Sequence, residues 1–340
     1  EEHSDLLLIP DPATLSVLPW RPDHGRVIRL FCNVGKPDGS GFLPDTRALL
    51  KEAVLAAKEE GIDFAFGAEM EFYLFCRDGD GNATGEPADR AGYMDIAPDD
   101  KGENVRREIC LTLEQMGISP ESSHHEEGPG QNEIDFRFSD PLRAADDAVT
   151  FRAVVRTVAA RCGLFADFSP KPIDGCAGNG MHINYSAKNR SGEDVTPLVT
   201  AGILSHIGEM TAFLNPDERS YLRLGQNKAP RFVSWSRENR SQLIRVPAAK
   251  GEYRRAELRS PDPLCNPYLA YALLIHAGLD GIRKGLPLPD PVDENLSGGR
   301  SPACGRLAVL PRTLAEAKRA ADSAFIRQTL PAVLLDAYLK

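Results

Sequence analysis

Arg255, Glu257 and Arg259 alternate along the segment Tyr253 to Ser260, the chemically densest spacing in the chain. In an extended strand, side chains at i, i+2 and i+4 share a face, so these three point one way while Ala256 and Leu258 point the other. A carboxylate between two guanidiniums suits a site that holds a cation and several anions together. Three further segments repeat the pattern. Glu69, Glu71 and Tyr73 alternate with Met70, Phe72 and Leu74; Glu133, Asp135 and Arg137 alternate with Ile134, Phe136 and Phe138; His182, Asn184 and Ser186 alternate with Met181, Ile183 and Tyr185. Each segment alone reads equally well as an antiparallel strand with one wet face. Polar faces rich in Glu, His and Arg, and free of Lys, argue together for a shared site.

Pooled, the polar faces and their neighbours supply Glu69, Glu71, Glu126, Glu133, Glu257 and His182. So many carboxylates cannot all stay ionised side by side without cations. Oxygen ligands with one imidazole suit Mg²⁺ or Mn²⁺, and the lack of cysteine among them argues against structural zinc. The arginines Arg223, Arg240, Arg245, Arg255 and Arg259 read as an anion clamp, because guanidiniums grip phosphate and carboxylate bidentately. Metal-binding carboxylates facing arginines are the parts of phosphoryl transfer. No Gly-x-x-x-x-Gly-Lys-[Ser/Thr] loop is present, so a nucleotide would not sit in a P-loop. No Ser/His/Asp or Cys/His spacing suggests a nucleophile. His124 and His125 flank Glu126, but adjacent strand residues face opposite ways, and neither is counted among the expected ligands.

These side chains need strands to carry them. Strands are expected at 62–76, 132–138, 181–187, 231–237, 241–247 and 253–259, and helices at 101–117, 140–162 and 196–213. Asp45 is a plausible N-cap for a helix ending near Gly61, and Asn266-Pro267 opens a buried helix to about Lys284 in which His276 is a packed residue. Leu314 to Phe325 reads as one amphipathic helix. The mixture is α+β, with a boundary near residue 42. The chain has 340 residues, 42% hydrophobic and 26% charged, and a net charge of −9, which argues against a nucleic-acid partner. No apolar run reaches the length of a membrane span, and the acidic start with its short Leu6 to Ile9 run is no signal peptide. Seven cysteines without a CxxC pair suggest reduced thiols in the cytoplasm. The chain opens Glu1-Glu2 without an initiator Met, so it is expected to lack its natural start.

The motifs in sequence resemble the catalytic domain of glutamine synthetase. They run from Ser4-Asp5 to Pro19-Trp20, then through Glu69-Met-Glu-Phe72, His124-His-Glu-Glu-Gly-Pro-Gly-Gln-Asn-Glu133 and Gly180-Met-His182. They continue through Asn239 to Pro247, Arg255-Ala-Glu-Leu-Arg-Ser-Pro-Asp-Pro263 and Asn266-Pro-Tyr268. The resemblance implies an antiparallel β bifunnel surrounded by helices over residues 43–340, with a partial β-grasp domain at 1–42. It implies that Glu71, Glu126 and Glu133 hold the metal nearer glutamate, and that Glu69, His182 and Glu257 hold the metal on the ATP phosphates. Arg223 and Arg259 would grip substrate carboxylates with the Gly178 backbone. Arg240, Arg245 and Arg255 would neutralise phosphates, Ser186 would touch the nucleotide, and Arg240, Arg245 and Arg259 would be the catalytic guanidiniums.

The implied activity is ATP-dependent ligation of ammonia to the γ-carboxylate of L-glutamate through γ-glutamyl phosphate, with about two or three Mg²⁺ or Mn²⁺ ions per site. The implied assembly is a homo-oligomer of stacked rings, a decamer or dodecamer, without nucleic-acid or membrane partners. Some positions depart from the family pattern. Lys228 stands where the family carries a flap glutamate that binds ammonium, and like charges repel. Ala177 replaces an Asn, Asn184 replaces a His, and Asn295-Leu-Ser297 lacks the tyrosine adenylylated in some members. The upstream half of the β-grasp domain, with its Asp-Gly-Ser-Ser loop, is not seen, and the last helix is expected to be cut short. Lys228 and Ala177 motivate an alternative, a γ-glutamyl ligase for a polyamine or alkylamine. A non-catalytic relative is the remaining reading, but a scaffold has no physical need of six metal ligands.

Overall fold

The computed structural model describes residues 5–21 and 24–340; Ser4, part of the first motif, lies outside the described residues. Four short strands come first: β1 (Leu7–Pro10), β2 (Ser16–Val17), β3 (Ile28–Arg29) and β4 (Cys32–Gly35). They form two small antiparallel sheets, β1 with β4 and β2 with β3. Helix α1 (Thr46–Glu59) follows, opened by Asp45, whose carboxylate accepts from the backbone N–H of Arg47 and Ala48. Arg47 then ties the two regions together. Buried in α1, it lies 3.0 Å from Asp11 in the N-terminal segment and 2.8 Å from Asp146.

The chain continues through β5 (Ile62–Arg77), β6 (Ala83–Pro87), α2 (Glu103–Gln115), β7 (Pro120–His125), β8 (Gln131–Phe136), α3 (Pro141–Arg161), β9 (Leu164–Asp167) and β10 (Met181–Asn189). Next come α4 (Thr196–Leu214), α5 (Glu218–Arg223), β11 (Trp235–Arg237), β12 (Ile244–Val246), β13 (Ala256–Leu258) and α6 (Pro267–Lys284). Three short helices close the chain: α7 (Leu314–Ala321), α8 (Ala324–Thr329) and α9 (Ala332–Leu339). The main sheet has nine strands, ordered β11-β12-β13-β10-β5-β8-β7, with β6 and β9 also on β5.

Strand β5 is the spine. Met70, Phe72 and Leu74 are fully buried on its core side, against Phe151 and Phe168. Each such side chain stabilises by roughly 1.5–3 kcal/mol. A one-residue slip would drive Glu69 and Glu71 into that core, so the apolar face fixes where the carboxylates point. Helices α4 and α6 pack behind at close range: a Cβ on Gly202 would lie 2.0 Å from the Ala277 carbonyl oxygen. Helix α4 is long and apolar enough to cross a membrane by length and composition, contrary to the expectation of no such run; most of it is buried inside the fold.

Other expectations need correction. The strand expected at 253–259 is only Ala256–Leu258, because Gly251–Tyr253 forms a 3₁₀ turn. The strands expected at 231–237 and 241–247 shrink to β11 and β12, which pair in parallel within an otherwise antiparallel sheet. Between them Glu238 turns the chain at φ 72. The single tail helix breaks at Asp322, where the Ser323 hydroxyl caps a new helix by accepting from the Ile326 N–H at 3.2 Å.

Candidate active site

Strand register assembles the site. His182 sits opposite Glu69 across β10 and β5, and Glu71 opposite Glu133 across β5 and β8. Asn184 faces Glu257 across β10 and β13, and Arg245 faces Glu257 across β12 and β13. Glu126 follows directly on β7 and is tied to the hairpin by its N–H to the Gln131 carbonyl. Glu69 also opposes Asp135. Like charges directly opposite on one face are destabilising by themselves. The sheet tolerates two such pairs where a cavity of about 320 Å³ opens.

That cavity is lined by all six expected metal ligands, Glu69, Glu71, Glu126, Glu133, His182 and Glu257. It is also lined by Gly178 and the five arginines Arg223, Arg240, Arg245, Arg255 and Arg259. Ser186 stands apart from this group. It lines an adjoining cavity with Asn184, Phe138 and Tyr253, and Glu69, Asp135 and Arg255 line both cavities. Arg137 shares the sequence pattern but leaves the site, reaching Glu252 at 3.7 Å with half its side chain exposed.

The carboxylates are electrostatically strained. Burial, then the nearby Glu126, pushes Glu71 up to about 7. Burial and the Glu71 and Glu69 charges raise Glu133 well above the usual range. Asp135 rises to about 7 through burial and Glu69, and its Oδ1 is buried without a partner. Burial and the Arg259 charge hold His182 well below its usual value, so its imidazole is neutral. Neutral imidazole and crowded carboxylates fit a hard divalent cation. His182 Nδ1 lies 3.4 Å from Glu69 Oε2 and 3.6 Å from Glu257 Oε1, while its Nε2 is 3.9 Å from Glu71 Oε1.

The ligand grouping differs from the expected triads. Converging atoms come from Glu69, Glu133 and His182, and from His124, Glu126 and Glu133. Glu257 is engaged by arginines: Arg245 donates at 2.8 Å to one oxygen and Arg259 donates to the other. Glu71 Oε2 accepts from the Gly180 N–H at 2.7 Å and from Gln131 at 3.2 Å. Arg223 donates to the carbonyls of Ser260 and Arg259, while its buried Nε is unpartnered, as is that of Arg245. These donors suit anionic oxygens.

Sequence reasoning missed His124, whose Nε2 is 3.1 Å from Glu126 and 3.7 Å from Glu133. The signal was available, since His124 and Glu126 share a strand face at i, i+2. His125 turns the other way, as strand alternation requires. It is fully buried, bonded to Asp89 at 2.9 Å and to the Glu126 carbonyl at 2.7 Å. Lys228 is not a bare charge: its Nζ is 2.5 Å from Glu127. Ala177 uses its carbonyl to accept from the Tyr73 hydroxyl at 2.6 Å.

Comparison with known proteins agrees with this geometry. The family model "Glutamine synthetase, catalytic domain" matches residues 44–340. Glutamine synthetase of Methanosarcina mazei is 46% identical over 308 residues, spanning 87% of this chain and 69% of that protein. The Clostridium saccharobutylicum glutamine synthetase is 47% identical over 308 residues, spanning 87% and 70%. Two solved structures, a GmaS/ADP complex and apo GmaS, superpose with TM-scores of 0.88 and 0.87 at 30% and 31% identity, covering 99% of this chain and 80% of theirs. The chain belongs to the glutamine synthetase family, a family of ligases, through its catalytic domain.

Proposed function

We propose that this chain ligates ammonia to the γ-carboxylate of L-glutamate at the expense of ATP, giving glutamine, ADP and phosphate. One observation carries the reading: crowded carboxylates and a neutral histidine face five arginines inside a single cavity. A carboxylate is a poor electrophile until its oxygen becomes a leaving group. The γ-carboxylate oxygen attacks the γ-phosphorus of ATP, the bond to the β–γ bridging oxygen breaks, and ADP departs. The acceptor nitrogen then attacks the acyl carbon, phosphate leaves with the C–O electron pair, and the nitrogen sheds a proton.

Arg223 and Arg259 are suited to the carboxylates of glutamate, beside Gly178. Arg240, Arg245 and Arg255 are suited to phosphate oxygens, with Arg245 fixed by Glu257. The adjoining cavity has an aromatic corner, Phe138 edge-on to Tyr253 at 6.4 Å, beside Ser186; this fits a nucleobase. The similar GmaS structure carries ADP. Glu69, Glu71, Glu126, Glu133 and His182, with His124 beside them, would hold divalent cations, Mg²⁺ or Mn²⁺, which supply charge neutralisation on the phosphates.

Glutamate-dependent ADP release, measured with ammonium, hydroxylamine and a panel of amines, tests the reading. No release with any acceptor overturns it. Release only with a bulky amine would favour the second reading, a γ-glutamyl ligase for an alkylamine or polyamine, which the Lys228–Glu127 pair at the cavity wall motivates. We further place the protein in the cytoplasm as a ring-forming homo-oligomer; its seven free thiols support a reducing compartment. The two small sheets before Thr46 fit a partial β-grasp unit over 1–42 followed by a catalytic domain over 43–340.

A further inference from the structure

Two carboxylates line the cavity outside the expected ligand set, Asp135 and Glu127. Asp135 lies on the nucleotide side, since it also lines the adjoining cavity. Glu127 lies at the other end, beside Tyr93, Met94 and Lys228. There the chain arranges one of its own groups in a telling way. Lys228 Nζ sits 2.5 Å from Glu127 Oε1 and 4.6 Å from the centroid of the Tyr93 ring. A carboxylate on one side and an aromatic face on the other is how proteins bind an alkylammonium ion. The Tyr93 ring is held for that purpose by edge-on contact with His124, centroids 5.7 Å apart and planes at 86°. Lys228 is a primary ammonium on an alkyl stem, so it reports what the cradle accepts.

An ordinary surface ion pair would be an adequate account of Lys228 and Glu127 alone, and such pairs contribute little. It does not account for the ring contact, nor for the pair's place in the wall of the reaction cavity. The loop that presents Lys228 is a strained turn, with Asn227 at φ 50 and Gly225 at φ 82. It is closed by the Gly225 N–H bond to the Ala229 carbonyl and pinned at its base by Arg231 donating to the Leu224 carbonyl.

We infer that Glu127 and the face of Tyr93 form the subsite for the acceptor's ammonium group, and that Lys228 occupies this subsite as an internal competitor. The inference rests on the ligase reading above and narrows it. The acceptor is a small ammonium ion, either NH₄⁺ or a primary alkylammonium, and it enters by displacing a lysine. Lys228 and Glu127 set how strongly it is held.

The test is made on the full chain with Mg²⁺ and glutamate, in two arms. In the first, ADP replaces ATP so that no turnover occurs, and binding of ¹³C-methylammonium is followed by NMR. In the second, ATP is present and KM is measured for ammonium, for methylammonium and for glutamate. Lys228→Met should tighten ammonium binding and lower acceptor KM by roughly twofold to fivefold, the span of an exposed ion pair. Glu127→Gln should weaken both by a similar factor, and Lys228→Arg should behave like the parent protein. Glu127 and Lys228 keep 32% and 42% of their side chains exposed, so neither change threatens the core. A gain for ammonium alone, or for methylammonium alone, identifies which ion the cradle takes. Methylammonium binding that ignores both variants, or acceptor and glutamate KM values that move in parallel, overturns the inference. Failure of the ligase reading is separately visible, as absence of ADP release with hydroxylamine in the parent protein, and the binding arm still decides the subsite.

Discussion

Arg245 donates from Nη1 to Glu257 Oε2 at 2.8 Å, across the strand pair that sets the two residues opposite each other. Glu257 has no exposed surface, and its other oxygen accepts from Arg259. Glu257→Ala would therefore strand two guanidiniums in the cavity wall. Breaking a buried pair from one side costs about 3–5 kcal/mol. Denaturant unfolding should show that loss, and glutamate-dependent ADP release should vanish. Near-normal turnover would mean that Glu257 serves neither metal nor arginines during the reaction.

The acidic cluster makes stability depend on pH and on divalent ions. Glu71 and Asp135 are raised to about 7, and Glu133 is raised as well, chiefly by burial. Acids with a native pKa above the unfolded value bind more protons when folded. Their contribution is full below the ordinary carboxylate range and is lost as pH rises through about 7. Mg²⁺ should consequently raise the melting temperature more at about pH 8 than at about pH 5. An equal rise at both would show that these carboxylates are not where the ion binds.

Asp89 is expected to support the ligand hairpin from behind. It accepts from His125 at 2.9 Å and from the Gly130 N–H at 2.9 Å, bracketing the turn between Glu126 and Glu133. Arg106 extends the network by donating to Asp100 and, at 2.6 Å, to Asn132. Outer partners of this kind typically change metal affinity by about 10–100-fold. Asp89→Asn should weaken Mg²⁺ binding by that order in calorimetry. Unchanged affinity would assign the network to folding alone.

Gly178 admits no side chain. A Cβ there would lie 2.3 Å from the Pro170 carbonyl oxygen and 2.9 Å from Arg223 Cγ. Gly178→Ala should displace Arg223, raising KM for glutamate more than KM for ATP. Equal changes in the two would indicate a general loosening of the fold instead.

Much of this was legible in the sequence because strand alternation is rigid. Glu69, Glu71, His182 and Glu257 could be assigned to one face from parity alone, and register then brought the faces together. The long helices were legible for the same reason, with Asp45 and Asn266 marking their starts. Contacts made across long loops were not. Nothing in local spacing pairs His125 with Asp89, or Lys228 with Glu127, because each contact depends on how separate segments fold back. The break at Asp322 was hidden as well: an amphipathic period continues through it, and a side-chain cap decides the outcome. The parallel pairing of β11 and β12 follows from a turn at Glu238, a conformation that residue type does not advertise.

Glu69, Asp135 and Arg255 belong to both cavities at once, forming a party wall with a face in each chamber. Whatever settles on one side of that wall must alter the potential felt on the other. Thermodynamic reciprocity then requires each occupant to change its neighbour's affinity by the same factor. Tenancy in the two rooms is thus negotiated jointly, and a measured affinity for either occupant has meaning only when the state of the opposite room is specified.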